Sequence, residues 1–271
     1  LIYAIIRHRW IKVFKVVSIG FFSFYWMWGF NYFSPSFQPQ EIQPLESPSP
    51  EQLMEYHEWV LNQTIRISNR FERKQQIEDF KPTKLLLACQ EMARSLPSLY
   101  PSKRAPLKLF PTSLFHRMGI SGMYFPFTGQ ALYDGDLGTF AAHFTFAHEY
   151  FHATGVASES ACNFLAFLVL EKQNDIHYRY AAYMELLLDV QRSLIHHGLL
   201  DPNARFDRFT PEMKVDIAYS IHLKSKYKSP ITQATPVIID GYLKAQSHEG
   251  LSAYHQLSLW VWNYHHSRGT H

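Results

Sequence analysis

Two histidines flank a glutamate in His148-Glu149-Tyr150-Phe151-His152, an H-E-x-x-H pattern. On a helix, residues i and i+4 share a face, so both imidazoles can reach one metal ion. Glu149 would then lie beside the ion, where it can take a proton from a metal-activated water and pass it to a leaving amine. Roughly 4 in 100 chains of this composition would contain the pattern by chance. The alternative interpretation is a helix carrying two solvated histidines.

A third ligand is predicted shortly after this helix. Gly155 is typical of a helix C-terminus and Ser158 of the N-cap of a following helix, so the chain should fold Glu159 back toward the histidines. Two His and one Glu with an open fourth position form a common catalytic zinc set. We therefore predict that His148, His152 and Glu159 bind one Zn²⁺ per chain. Alternatively, Glu159 only complements the dipole of its own helix.

Three further side chains are candidates for supporting this site. Asn163 lies four residues after Glu159 on the same helical face, where it can accept a hydrogen bond from a ligand imidazole, or serve as a cap or packing amide. Tyr180 and Tyr183 could donate a phenolic hydrogen bond to a developing oxyanion. Aromatic residues at this spacing also pack in cores.

A short apolar run upstream is a candidate substrate-binding element. Met123, Tyr124 and Phe125 belong to a segment that resembles a strand, and an edge strand can bind an extended peptide through its backbone. The same residues could equally form ordinary sheet.

The charge distribution argues against a nucleic-acid partner. The formal net charge is +3, from 26 Lys and Arg against 23 Asp and Glu. The first 15 residues contain four basic residues and no acid, so the remainder of the chain sums to −1. Only the N-terminal end is basic, and no basic domain is present to bind nucleic acid.

This basic end precedes an uncharged, aromatic segment, Val16–Phe33. Extended back to Ile11, it reaches the roughly 20 residues needed to cross a bilayer. We predict a transmembrane helix over residues 11–33, either a single span or the last of several, through which the chain contacts the lipid bilayer. The alternatives are a buried core helix or the core of a signal peptide. The positive-inside rule places the N-terminus in the cytoplasm and the rest of the chain outside.

The remaining chain is predicted to form one α+β, predominantly helical domain. Five prolines within 34–50 indicate a stiff linker. Short apolar runs broken by Gly and Pro over 106–133 favour strands and turns. Helices are predicted over 51–80, 84–95, 140–154, 158–173, 175–197, 211–227, 235–246 and 249–266. The predicted parts are a basic flank and transmembrane helix (1–33), the linker (34–50) and the domain (51–271).

Other residues capable of chemistry are predicted to be structural. Cys89 and Cys162 lie in apolar helical stretches, where buried thiols are common. His143 is expected to be structural. His196-His197 and His265-His266 lack a ligand spacing and are predicted to be solvated helix ends.

Several segments together resemble one protein family. The segment 148–168, HEYFHATGVASESACNFLAFL, resembles the metal-site segment of the bacterial membrane-protein family catalogued as domain of unknown function 3810. Segments 28–32 (WGFNY) and 119–129 (GISGMYFPFTG) resemble two other motifs of that family, and 240–244 and 250–254 are also similar. The resemblance implies spans in the bacterial inner (cell) membrane and an extracytoplasmic, zincin-like zinc-peptidase domain, with no established substrate.

Two positions depart from the family pattern. Gln130 stands where the family has Glu, and Ala161 replaces the second Glu of its E-x-E-A-N run. If that second Glu were the family's third ligand, this chain would lack it. Glu159, however, precedes Asn163 by four residues, as the ligand does in the E-x-x-x-D motif of membrane zinc peptidases that process prenylated proteins.

Two functions remain open from the sequence. The first is a membrane-anchored zinc metallopeptidase that hydrolyses peptide or protein substrates, with Glu149 as general base. The second is a non-catalytic membrane-anchored scaffold or binding protein with a degenerate or structural metal site. Glu149 favours the enzyme, because a purely structural site does not require a carboxylate at that position.

Overall fold

Helices form most of the chain that the computed structural model describes, which comprises residues 2–27, 46–70, 82–110, 113–230 and 256–269 together with 232, 234 and 237. The helices are α1 (Ile2–Met27), α2 (Pro50–Ser68), α3 (Pro82–Ser95), α4 (Ser113–Met118), α5 (Thr139–His152), α6 (Glu159–Glu171), α7 (Ile176–His196), α8 (Pro211–Lys226) and α9 (Leu257–Arg268). The strands are β1 (Leu107–Leu109), β2 (Gly122–Phe125) and β3 (Gln130–Asp134). The prediction of a predominantly helical α+β chain is confirmed.

The three strands form one small sheet in the order β1-β3-β2. β1 pairs with β3 in parallel and β2 pairs with β3 antiparallel, so that Leu107, Leu132 and Met123 lie side by side across the sheet. Tyr133 of β3 faces the helices, where its ring meets Phe146 of α5 edge-on at 5.9 Å between centroids. β2 is therefore an edge strand of the described sheet, and one face of the sheet packs on α5.

The core is built around α5, α6 and α7. α6 is apolar on all sides, and every residue of Phe164–Leu170 is buried, as expected for a helix surrounded by other elements. α5 packs against both α6 and α7, and α2 and α9 pack against α7. This arrangement fixes α5 and α6, the two helices that carry the predicted ligands, inside the core.

The packed structure includes the last residues of the predicted linker. The Glu46 backbone N–H donates to Asn263 Oδ1 at 2.9 Å, and Asn263 Nδ2 donates to the Glu46 carbonyl at 2.9 Å. Ser49 then caps α2, its Oγ accepting from the Gln52 N–H while Gln52 Oε1 accepts from the Ser49 N–H. Residues 34–45 of the linker lie outside the described residues.

Helix boundaries agree with the sequence prediction most closely in the core. α5, α6, α7 and α8 each begin and end within two residues of their predicted limits. α2 ends at Ser68, and residues 71–80 of the predicted helix are not among those described. The same holds for most of 235–246 and for 249–255. α4 was not predicted, because six residues are too few to display helical periodicity.

The predicted membrane segment is helical as far as it is described. α1 carries large exposed apolar side chains, among them Trp10, Phe14 and Phe22. Within the described ranges, no helix combines the length and apolar character that a membrane span requires. Residues 28–33 of the predicted span fall outside those ranges.

One histidine predicted to be solvated is buried instead. His265 is 3% exposed, and its Nδ1 lies 3.5 Å from the Tyr56 hydroxyl while its ring meets Trp59 edge-on. The prediction for His265 is wrong because α9 packs its histidine face against α2, which periodicity cannot show. His266, the next residue, is exposed, and so are His196 and His197. Cys89 and Cys162 are buried, as predicted, and both are free thiols.

A buried carboxylate attaches α9 to α7. Asp189 is 1% exposed; its Oδ2 accepts from the Ser258 backbone N–H at 2.8 Å and its Oδ1 from Arg192 at 3.0 Å. We expect Asp189→Ala to lower the free energy of unfolding by about 1–3 kcal/mol, because the buried N–H of Ser258 loses its acceptor. Urea denaturation followed by circular dichroism measures the change.

The matched control is Asp201→Ala, which removes an exposed carboxylate that accepts only from the nearby Asn203. This change should stay within about 0.5 kcal/mol. Equal effects of the two substitutions would contradict a specific role for Asp189.

Candidate metal centre

The two histidines of the H-E-x-x-H pattern meet at the C-terminal end of α5. His148 and His152 are one helical turn apart and are 9% and 6% exposed. Their rings are edge-on, with centroids 4.7 Å apart, and their Nε2 atoms lie 3.0 Å from each other. The helix thus brings both imidazoles to one point inside the domain, as the spacing predicted.

The turn between α5 and α6 brings Glu159 to the same point. Gly155 has φ +99°, a left-handed conformation that favours glycine and reverses the chain after α5. Ser158 then caps α6, its Oγ accepting from the Ala161 N–H at 3.3 Å. Glu159, the first residue of α6, places Oε2 3.0 Å from His148 Nε2 and 3.4 Å from His152 Nε2. The predicted folding back of Glu159 is what the structure has.

Hydrogen bonds on the far side of each ring orient the imidazoles. His152 Nδ1 lies 2.8 Å from the Val156 carbonyl oxygen, which can only accept, so Nδ1 carries the proton. His148 Nδ1 lies 2.8 Å from Asn163 Oδ1, as predicted for Asn163. Both Nε2 atoms are then left with lone pairs that point toward each other and toward the Glu159 carboxylate.

This set of acceptors fits a cation. Among the described residues, His148, His152 and Glu159 are the one group of three His, Cys, Asp or Glu side chains that could hold a metal ion, with their ligand atoms within 4.8 Å of one another. Lone pairs and a carboxylate at this separation repel unless a positive charge lies between them. Nitrogen and oxygen donors in a set of two His and one Glu suit Zn²⁺.

The pKa values of His152, Cys162 and Glu159 are shifted by burial and by the charges of the neighbouring side chains in this cluster. Burial lowers the pKa of His152, but Cys162 and Glu159 outweigh burial and raise it well above its usual value. Burial raises the pKa of Cys162 to about 11, so its thiol is neutral at pH 7 and Glu159 supplies the negative charge. For Glu159, burial raises the pKa, but His152 and His148 outweigh it and lower the value. The site therefore favours a positive charge, either a proton or a metal ion.

Glu149 lies beside this cluster, in contact with the sheet. It is 5% exposed, and its Oε2 has no hydrogen-bond partner in the protein. Burial raises the pKa of Glu149 to about 7, against the opposing effect of His148 and His152. A buried carboxylate oxygen without a protein partner is rare and indicates a site for water or a ligand.

Gly122, the first residue of β2, makes room for this carboxylate. A Cβ atom at position 122 would lie 2.5 Å from Glu149 Oε1 and 2.6 Å from its Cγ. Real Cβ atoms do not approach so closely, so only glycine lets the strand run directly against the Glu149 side chain. The sequence showed Gly122 only as a break between apolar runs, because the contact joins residues 27 positions apart.

The predicted substrate-binding residues lie on this edge strand. Met123, Tyr124 and Phe125 follow Gly122 in β2 and pair with Leu132, Ala131 and Gln130 of β3. Because side chains alternate along a strand, Tyr124 shares the helix-facing side with Gly122, whereas Met123 and Phe125 point to the opposite face.

The two candidate tyrosines of α7 form hydrogen bonds away from the metal cluster. The Tyr180 hydroxyl donates to Asp216 at 2.8 Å and the Tyr183 hydroxyl to Glu171 at 3.3 Å, two carboxylates outside the metal cluster.

Substitution of the proposed ligands should remove metal binding. We expect His148→Ala and Glu159→Ala each to lower zinc affinity by more than about 100-fold, since loss of a residue behind a ligand alone costs about 10–100-fold. Asn163→Ala should fall in that smaller range. Competition with a chromogenic chelator gives the affinities.

The matched control is Glu171→Gln, which alters another half-buried carboxylate of α6 outside the cluster. It should leave zinc affinity unchanged. Wild-type affinity in Glu159→Ala would show that Glu159 is not a ligand.

The contact between Gly122 and Glu149 predicts a specific steric conflict. We expect Gly122→Ala to cost about 1–3 kcal/mol in the free energy of unfolding, as overpacking does, while the metal ligands are untouched. In a Glu149→Ala background the same change should cost much less, because the clashing atoms of Glu149 are gone.

Chemical denaturation of the four proteins in this cycle measures the coupling. Ser121→Ala, at the exposed neighbouring position, serves as control. An equal cost of Gly122→Ala in both backgrounds would contradict the proposed contact.

Comparison with known proteins agrees with the resemblance seen in the sequence. No curated protein and no solved structure shows significant similarity to this chain. The model of one family, described as Protein of unknown function (DUF3810), matches residues 2–261. This match covers nearly the whole chain, and the chain therefore belongs to the DUF3810 family.

Proposed function

We propose that this protein is a zinc-dependent metallopeptidase that hydrolyses peptide bonds in a peptide or protein substrate. The observation that carries the proposal is the convergence of His148, His152 and Glu159 beside a buried Glu149 whose Oε2 has no partner. A structural site requires only the three ligands and a fourth partner. A carboxylate next to them, without a partner of its own, suits proton transfer.

His148, His152 and Glu159 would hold one Zn²⁺ per chain. When bound, zinc polarises a carbonyl group and lowers the pKa of water. Val156 and Asn163 keep the imidazoles in the tautomer that presents Nε2 to the ion. The ligands are thus oriented before any metal binds.

Glu149 would act as the general base and then as the general acid. Its carboxylate accepts a proton from the attacking water and delivers that proton to the amine that leaves. Burial raises the pKa of Glu149 above its usual value, which brings the carboxyl group closer to the range where it can both gain and lose a proton. Gly122 lets the strand lie directly against this side chain.

β2 is the proposed binding element for the substrate. It is an edge strand of the described sheet and starts where Glu149 lies, so an extended peptide added to its open edge would pass the general base. Backbone N–H and C=O groups of Met123, Tyr124 and Phe125 would supply the hydrogen bonds.

The proposal includes membrane anchoring through residues 11–33, in the bacterial inner membrane, with the domain on the extracytoplasmic side. Exposed apolar side chains along α1 support this anchor, as does the basic segment at its start. Burying those side chains in lipid would remove them from water.

A second candidate is a non-catalytic binding protein with a structural metal site. The engagement of Tyr180 and Tyr183 with Asp216 and Glu171 favours it, because neither phenol is then available to stabilise an oxyanion. Both candidates require the same ligands, and they differ only in the role of Glu149.

Substitution of Glu149 separates the two candidates. We expect the full-length chain, purified in detergent and loaded with zinc, to cleave members of an unbiased peptide library read by mass spectrometry. Glu149→Gln should keep one zinc per chain and lower kcat/KM by about 10²–10⁴-fold, since the amide cannot accept the proton.

Glu171→Gln is again the control and should keep both zinc and activity. Zinc binding without any cleavage, or cleavage that Glu149→Gln leaves intact, would overturn the peptidase and favour the structural site. A chain that binds no zinc would overturn both.

A further inference from the structure

The turn that joins β2 to β3 presents aromatic side chains to solvent. Phe125 and Phe127 are 37% and 42% exposed, and their rings lie against each other with centroids 5.3 Å apart. Leu107 of β1, on the same sheet, is 53% exposed. Large apolar side chains that are grouped and exposed usually mark an interaction surface.

Two exposed cations precede β1, and one of them contacts the turn. Lys103 and Arg104 are both exposed, and no ion pair among the described residues includes either of them. Arg104 Nη1 donates to the Thr128 carbonyl oxygen at 2.6 Å, which holds the basic segment next to the turn. We name the surface formed by Lys103, Arg104, Leu107, Phe125 and Phe127 the hairpin patch.

The sequence around the hairpin patch contains only one sign of charge. Residues 92–133 include five Lys and Arg and no Asp or Glu, although acids nearly equal bases in the whole chain. The first acid after this stretch is Asp134, which is completely buried and paired with His116. The partner of this surface is therefore expected to be anionic.

The strand residues of the hairpin patch, Leu107 and Phe125, lie on the face of the sheet opposite to Glu149. Gly122 and Tyr133 are partners across β2 and β3, and both face α5. Alternation along the strands then places Leu107, Met123 and Phe125 on the other face. The apolar side chains are thus directed away from Glu149, and a peptide in the proposed active site would not cover them.

We propose that the hairpin patch docks onto the surface of an anionic lipid bilayer. Phenylalanine rings at a turn can enter the boundary between headgroups and acyl chains, while Lys and Arg beside them contact anionic headgroups. The rings project from a turn rather than line a groove, which favours a lipid surface over an acidic peptide. This inference does not depend on the proposed peptidase activity.

A fluorescent probe at the turn tests the docking. Thr128 is exposed, whereas Cys89 and Cys162 are buried, so a maleimide NBD dye reacts selectively with Thr128→Cys in the full-length chain. The labelled protein is reconstituted into phosphatidylcholine vesicles with and without phosphatidylglycerol. We expect a blue shift and quenching by brominated lipids only when phosphatidylglycerol is present, and both should weaken at high salt.

Two sets of variants connect the signal to the patch. The double substitution Phe125→Ser and Phe127→Ser should abolish the blue shift. Removal of the two cations by Lys103→Ser and Arg104→Ser should weaken docking by about 30-fold, because each cation near an anionic surface adds to the binding free energy. The matched control is Val215→Ser with Ile221→Ser, which removes exposed apolar side chains from α8. A probe at Asn203→Cys controls for a general change in the domain.

Each remaining outcome would overturn the proposal. An unshifted spectrum with phosphatidylglycerol, or an equal shift in pure phosphatidylcholine, would exclude docking by charge complementarity. A shift produced by polyglutamate but not by anionic vesicles would identify the patch as a protein-binding surface. Thermal melts of all variants confirm that the domain remains folded.

Discussion

The arrangement of the domain core depends on one electrostatic constraint, the convergence of three hydrogen-bond acceptors inside the protein. His148 Nε2, His152 Nε2 and Glu159 Oε2 lie 3.0–3.4 Å apart and largely out of contact with water. Such groups repel unless a positive charge lies among them, and the low dielectric of the interior strengthens that repulsion. The left-handed turn at Gly155 and the bond from His152 to Val156 both hold this arrangement in place.

The small sheet is explained by the same centre. Its inner face lies on α5, and Gly122 allows β2 to approach until its backbone touches the Glu149 side chain. A larger residue would force either the strand or the carboxylate to move. The sheet therefore packs against Glu149, the residue of the H-E-x-x-H pattern that lies outside the cluster of His148, His152 and Glu159. β2, which makes this contact, is an edge strand of the described sheet.

Local patterns predicted that His148, His152 and Glu159 come together, whereas contacts between distant segments could not be predicted from them. The i, i+4 spacing of His148 and His152 and the turn before Glu159 depend on neighbouring residues, so periodicity and capping rules were sufficient. The limits of α5 to α8 were predictable for the same reason. The contact of Gly122 with Glu149, the burial of His265 and the partners of Tyr180 and Tyr183 join distant segments, and no local rule describes them. The zincin-like fold and the membrane span stay predictions.

One short strand, β2, contributes residues to both faces of the sheet. β2 has four residues, and Gly122 on its inner side is three positions from Phe125 on its outer side. This short strand is paired along its length with β3 and leads directly into the turn that carries Phe127. The hairpin patch and the wall that Gly122 presents to Glu149 are therefore built from the same strand. The geometry of the metal centre and the environment of the outer surface are linked through a single strand.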